Sequence, residues 1–271
     1  MVQLSAVTGS YGRLLLASLL FLCGCGGLAR STNRSAASGA NASHAAVEPS
    51  ATPTNSPAAA ASDEAALKEI SPGIFQLGAV RIDRRQRSLS FPAKVELTEG
   101  PMEYFLVSTW GKTYESIFST ETEPQHIHIA MLLLGARGAG TNLDATLENT
   151  GSIVSHPSPI RLPGDPVAIE MKWIRRGKEI RKSAEELVFN SRAKKAPAHG
   201  NWVYNGSFMV EATFIAEREG SIVSLVTDPQ ALINNVGAGH DDDSIWRANP
   251  GTLPPTNTIV EVTIRLGKLA R

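Results

Sequence analysis

Short β-rich runs separated by polar turns fill the chain from about Ile70 onward. Ile74–Ile82 and Ser88–Leu97 flank the polar turn Asp83–Arg87 and read as a hairpin. Met102–Trp110 is a third strand, closed by Gly111 and Lys112. The period then changes. Thr122-Glu-Pro-Gln125 has capping-box spacing with Pro in the first turn, and Ile127–Leu134 is apolar almost all round, which predicts a short buried helix stopped by Gly135. Residues 139–163 are rich in Gly, Asn, Ser and Pro and read as a long loop. Val167–Ile174 turns at Arg175–Lys178, and Ser207–Ala216 turns at Glu217–Gly220 into Ser221–Val226, giving two more hairpins. Asp228–Asn234 reads as an N-capped short helix and Thr258–Leu266 as a last strand. The expected fold is α+β: predominantly antiparallel β hairpins with two short helices, in a single globular domain over residues 70–267.

The first residues follow another logic. Arg13 precedes the uninterrupted apolar run Leu14–Leu22, too short to span a bilayer but matched to the charged and apolar regions of an export signal. Leu22-Cys23-Gly24-Cys25 resembles a bacterial lipobox, in which a small residue precedes the lipidated cysteine. Gly24 fills that place for Cys25, whereas bulky Leu22 precedes Cys23. The expectation is a signal peptide over residues 1–24, lipid attachment at Cys25, and a membrane-anchored lipoprotein of the bacterial cell envelope. Gly26 is not acidic, which points to the outer membrane, facing the periplasm. From Ala29 to about Ala61 the chain is Ala, Ser, Thr, Asn and Pro, too polar to offset ordering entropy, so residues 25–69 are expected to be a flexible tether. Roughly 40 such residues reach about 35 Å.

Charge and cysteine content narrow the function classes. Lys+Arg 26 against Asp+Glu 26 leaves no net positive field for nucleic acid, which is not expected as a partner. Two cysteines exclude a disulfide scaffold, a four-Cys zinc site and a Cys-ligated iron–sulfur cluster, and no cofactor is expected. Gly111-Lys112-Thr113 has the tail of a phosphate loop, but Leu106 stands where its first glycine would be. On a helix His126 and His128 sit about 200° apart and cannot grip one ion. His240, Asp241 and Asp243 could offer alternate ligands to a hard cation, yet Ile245 occupies the third ligand position of a calcium loop. Trp202, Trp246 and Asn249 combine aromatic surface with an amide and could line a groove, against the default of core packing. The best candidate site is the segment Gly111–His128, which carries Lys112, Tyr114, Glu115 and Ser116 on a turn just before the predicted helix. Glu115 and one of His126 and His128 are expected to share a cavity.

Gly73–Asp83, Met102–Val107, Gly111–Ser116, His126–Gly135, Trp202–Ser207, Glu219–Pro229 and Asp243–Asn249 together resemble the YdjY domain family of bacterial exported proteins, over about Gly73 to Leu266. The position of Tyr114 is commonly histidine in that family. The resemblance implies no established activity. The expected function is therefore a lipid-anchored domain that binds a small ligand or an envelope partner without catalysis. The alternative is a metal-assisted hydrolase using Glu115, His126 or His128 with loop carboxylates such as Asp241 and Asp243.

Overall fold

A computed structural model describes residues 66–139 and 162–267, all within one unit, Ala58–Arg271. The signal peptide, Cys25, most of the tether and the middle of the predicted long loop lie outside the described residues. Strand β1 (Lys68–Ser71) already includes the last residues assigned to the tether.

The architecture is mostly β and corrects the α+β expectation. After β1 come β2 (Ile74–Leu77), β3 (Val80–Asp83), β4 (Ser88–Val95), β5 (Tyr104–Ser108), β6 (Ser116–Thr120), helix α1 (Pro124–Leu133), β7 (Asp165–Arg175), β8 (Lys178–Ser183), helix α2 (Ala184–Leu187) and β9 (Val188–Asn190). Then follow β10 (Trp202–Tyr204), β11 (Met209–Val210), β12 (Thr213–Phe214), helix α3 (Ile215–Glu219), β13 (Ser221–Ser224), β14 (Ile233–Asn235), β15 (Trp246–Ala248) and β16 (Ile259–Leu266). Strands β4, β16, β7, β10, β14, β13, β5 and β6 pair in that order, and β6 returns to β4, so eight strands close a barrel.

Closure depends on β4 serving two neighbours on one edge. Ser88–Ser90 pair with β3, while Lys94 and Val95 pair with Ser119 and Phe118 of β6. Pro92, which has no N–H to give, lies in the gap between these ladders, and its carbonyl accepts the Thr120 hydroxyl at 2.6 Å. The wall is not a set of hairpins alone, because β5–β6 and β13–β14 are parallel pairs.

Alternation builds the interior. Leu89, Phe91, Ala93 and Val95 of β4, Val260, Val262, Ile264 and Leu266 of β16, and Val167, Ile169, Met171 and Trp173 of β7 are all buried at every second position. Phe105 stacks in a tilted arrangement on Phe118 and Trp202, with ring centroids 5.1 and 5.9 Å apart, and fills the barrel centre. Strands β5, β6 and β13 are buried at every position, and β5 accordingly reads as a continuous run, Tyr104-Phe-Leu-Val107, rather than an alternating one.

Four local expectations fail for identifiable reasons. Ile74–Ile82 is not one strand: it reverses at Gly78-Ala79, with Gly78 at φ +54°. Ser207–Ala216 is not one strand either, but the small hairpin β11–β12 followed by α3. Thr122 does not cap α1. Glu123 is the N-cap and offers no side-chain bond, and the Gln125 N–H instead donates to Glu217 of α3. Asp228–Asn234 is not a helix. The Asp228 carboxylate accepts the Gln230 N–H in a local turn, and Ile233–Asn235 become β14, the barrel strand between β10 and β13.

Candidate functional site

The connection from β5 to β6 is unusually short for parallel strands, which generally need a dozen or more residues between them. Only Thr109–Glu115 make it, ending in a 3-10 turn over Thr113–Glu115. It fits because Gly111 lies flat against Gly220, where a Cβ on Gly111 would sit 2.9 Å from the Gly220 carbonyl oxygen. The turn throws Lys112 back over the β5 strand. Its Nζ stands 5.0 Å from the Tyr104 ring centroid, donates to the Tyr104 hydroxyl at 3.2 Å, and lies 3.5 Å from Glu115 Oε1. Tyr104 in turn donates to Asp228 Oδ2 at 3.0 Å. Ser116 is buried and donates to the Lys112 carbonyl at 2.6 Å, so it holds the turn. Tyr114 points outward, 73% exposed.

This lysine–tyrosine–aspartate line sits among carboxylates. Burial pushes the Asp228 carboxyl up, against the Gln230 N–H and the Tyr104 hydroxyl that favour its charge. Burial also raises Glu103, helped by the nearby charges of Glu115, Asp243 and Asp228. Burial opposes the Lys112 ammonium, but the bond to Tyr104 and the carboxylates of Glu115 and Glu103 outweigh it and raise its pKa. Buried amides pin the Asp228 loop: Asn234 accepts from the Asp228 N–H at 2.7 Å and donates to Asn205 at 2.8 Å.

The two histidines go elsewhere. His126 faces Glu123, Nε2 to Oε2 3.3 Å. His128 shares a 2.8 Å hydrogen bond between its Nδ1 and the Tyr204 hydroxyl, with the Phe214 ring 4.8 Å away. Burial lowers the His128 pKa and favours the neutral ring. His128 lies in a groove of about 590 Å³ between α1 and the β11–β12 hairpin. Ile129, Phe208, Met209 and Phe214 supply apolar walls, while Gln125, Glu217 and Arg218 bring polar groups. Burial raises the Glu217 carboxyl, opposed by the Gln125 N–H it accepts. Glu115 does not line this groove, so the predicted shared cavity is not formed. The candidate segment splits into a Lys112 ledge and a His128 groove.

The remaining candidates are architectural. Trp202 and Trp246 are core residues, 2% and 1% exposed. The Trp246 ring N–H donates to the Gly239 carbonyl at 3.0 Å. Asn249 donates to the Glu186 carbonyl at 2.7 Å and fastens α2. His240 turns inward and bonds Thr227 at 2.6 Å through Nδ1, whereas Asp241 and Asp243 face solvent. Among the described residues no three His, Cys, Asp or Glu side chains are placed to hold a metal ion. Tyr104, Asp228, Tyr204, Phe214 and Glu217 are the site residues that sequence reasoning missed. A tyrosine inside an apolar strand run, as in Glu103-Tyr104-Phe105, was the available signal, since a buried hydroxyl needs a partner.

No curated protein and no solved structure matches the chain. The sequence profile of the YdjY domain matches residues 80–265, from β3 to the last strand of the barrel and including both the ledge and the groove. The chain therefore belongs to the YdjY domain family.

Proposed function

We propose that this YdjY domain is a binding module of the bacterial cell envelope, anchored by lipid on Cys25, that takes a small, largely apolar ligand in the His128 groove without catalysing a reaction. The observation that carries the reading is the groove itself. About 590 Å³ of concave space, walled by Ile129, Phe208 and Phe214 with a few polar groups at its side, has the size and lining of a small-molecule site. The neutral His128 ring, held by Tyr204, supplies a fixed polar contact. Hydrolysis draws no comparable support, because Glu115, His126 and His128 are each engaged with different partners. Cys25 as the anchor rests on the lipobox-like Gly24-Cys25 after the apolar run.

Two experiments test the two halves. Thermal unfolding is compared with and without a small-molecule extract of the source envelope, for the parent and for Thr213→Trp, which fills the groove. A ligand that binds only the folded state raises the melting temperature of the parent and leaves that of the variant unchanged. Equal shifts in both proteins, or none in either, contradict the groove. Detergent partitioning of the parent and Cys25→Ser tests the anchor, which fails if the Ser variant stays with the membrane as the parent does.

A further inference from the structure

The chain carries no net charge, but its charge is unevenly placed. Between Glu170 and Ser183 the β7–β8 hairpin holds six cations, Lys172, Arg175, Arg176, Lys178, Arg181 and Lys182, against the carboxylates of Glu170 and Glu179. Arg181 answers both carboxylates, and Lys172 and Lys182 pair with Glu261 and Glu186. Arg175, Arg176 and Lys178 remain at the tip, all exposed and, among the described residues, without an ion pair. The tip is fixed rather than loose. Arg175 pairs across the ladder with Lys178, and Arg176 and Gly177 turn between them at φ +50° and +73°, the signature of a tight two-residue hairpin turn. Three like charges are thus held together with nothing in the described structure to neutralise them.

Apolar surface lies beside the cations. Ile174 is 63% exposed and Ile259 of the neighbouring strand is 65% exposed. Both line one shallow groove of about 390 Å³ with Ala79 and Pro92. β8 pairs only with β7, on the edge opposite β16, and the tip from Trp173 onward runs past the part of β7 that pairs with β16 in the barrel wall. Exposed isoleucines next to a cationic hairpin tip match the boundary between anionic headgroups and acyl chains.

We propose that the β7–β8 hairpin tip is a membrane-docking surface that lays the domain on an anionic lipid leaflet, with Arg175, Arg176 and Lys178 on the headgroups and Ile174 and Ile259 at the acyl boundary. The inference goes beyond the groove and the anchor: an acylated tether holds the domain near a bilayer, while the hairpin sets which face meets it.

The test uses the mature chain from residue 25 carrying Cys25→Ser, so that no acyl chain contributes, and co-sedimentation with vesicles of phosphatidylcholine with or without phosphatidylglycerol. The parent binds the phosphatidylglycerol vesicles, binds pure phosphatidylcholine much less, and is released by high salt. Each cation near an anionic leaflet is worth about fivefold in partitioning, so Arg175→Gln with Lys178→Gln weakens binding about 25-fold. Arg84→Gln with Arg85→Gln removes the same charge from the exposed β3–β4 turn and leaves binding within about twofold. Matched thermal melts of the two double variants keep folding out of the comparison. Equal loss in both, or equal binding to neutral and anionic vesicles, overturns the proposal. Capture of soluble inorganic polyphosphate as strong as that of vesicles also overturns it and assigns the patch to a soluble polyanion. Because the chain is unacylated and the groove untouched, failure here leaves the Cys25 and His128 readings standing.

Discussion

At the scale of single residues, the account turns on hydroxyls and rings that are buried with their partners. Tyr104 links Lys112 to Asp228, and both bonds run through its oxygen. Tyr104→Phe should therefore destabilise by about 1–3 kcal/mol, the cost of a half-buried carboxyl losing a donor, as read by urea unfolding. No loss beyond a few tenths would mean that the line contributes nothing to the fold. His128 makes a prediction with a sign. Its native pKa is lowered by burial below the ordinary value of about 6.5, so the unfolded chain takes up this proton first as pH falls. Its contribution is fully present above about 6.5 and is lost as pH drops from there toward the lower native value. The parent should accordingly lose more stability than His128→Gln between pH 7 and 5, and identical pH profiles would contradict the assignment. The sequence made these positions readable only in part. Lys112 and Glu115 were legible because a charged turn follows a strand. Tyr104 and Asp228 were not, since they meet only after β5 and β13 pair across more than 100 positions of chain.

At the scale of elements, the Thr109–Glu115 crossover is the feature most exposed to a single change. Gly220 has φ +69°, and a Cβ there would meet Gly111 Cα at 2.8 Å, backbone against backbone. Gly220→Ala combines left-handed strain with a contact that no side-chain rotation relieves, and should cost about 1–3 kcal/mol or more. For a domain of this size that is roughly 2–4 °C of melting temperature per kcal/mol. An unchanged melt would show that the crossover does not need this contact. Hairpins joined by strong local turns were visible in the sequence, and β7–β8 formed as read. The short helix over Asp228–Asn234 did not form, because the Asp228 side chain closes a turn on Gln230 and the following residues gain more as a barrel strand between β10 and β13. Local capping signals cannot weigh that tertiary term.

For the whole molecule, the eight-stranded closure distinguishes this fold from the hairpin assembly that the pattern predicts. Alternation in β4, β7 and β16 identifies an inner face, but nothing along the chain says that β6 returns to β4 or that two of the pairings are parallel. Lys94 and Ser119 lie directly opposite at that closure. Lys94→Cys with Ser119→Cys should therefore form a disulfide under mild oxidation, since facing residues of an antiparallel pair have Cα atoms about 4.5–5.5 Å apart, within disulfide reach. Free thiols in the folded double variant would argue for an open sheet. Closure fills the barrel interior with Phe105, Phe118 and Trp202 and leaves the proposed binding to its outer surface, where α1 and the β11–β12 hairpin frame the His128 groove. Native mass spectrometry of the protein purified gently from its source cells tests that claim most directly. The account predicts a non-covalent small-molecule adduct on the parent that is missing from Thr213→Trp. An adduct retained by the groove-filled variant, or a bare mass for both, would contradict it.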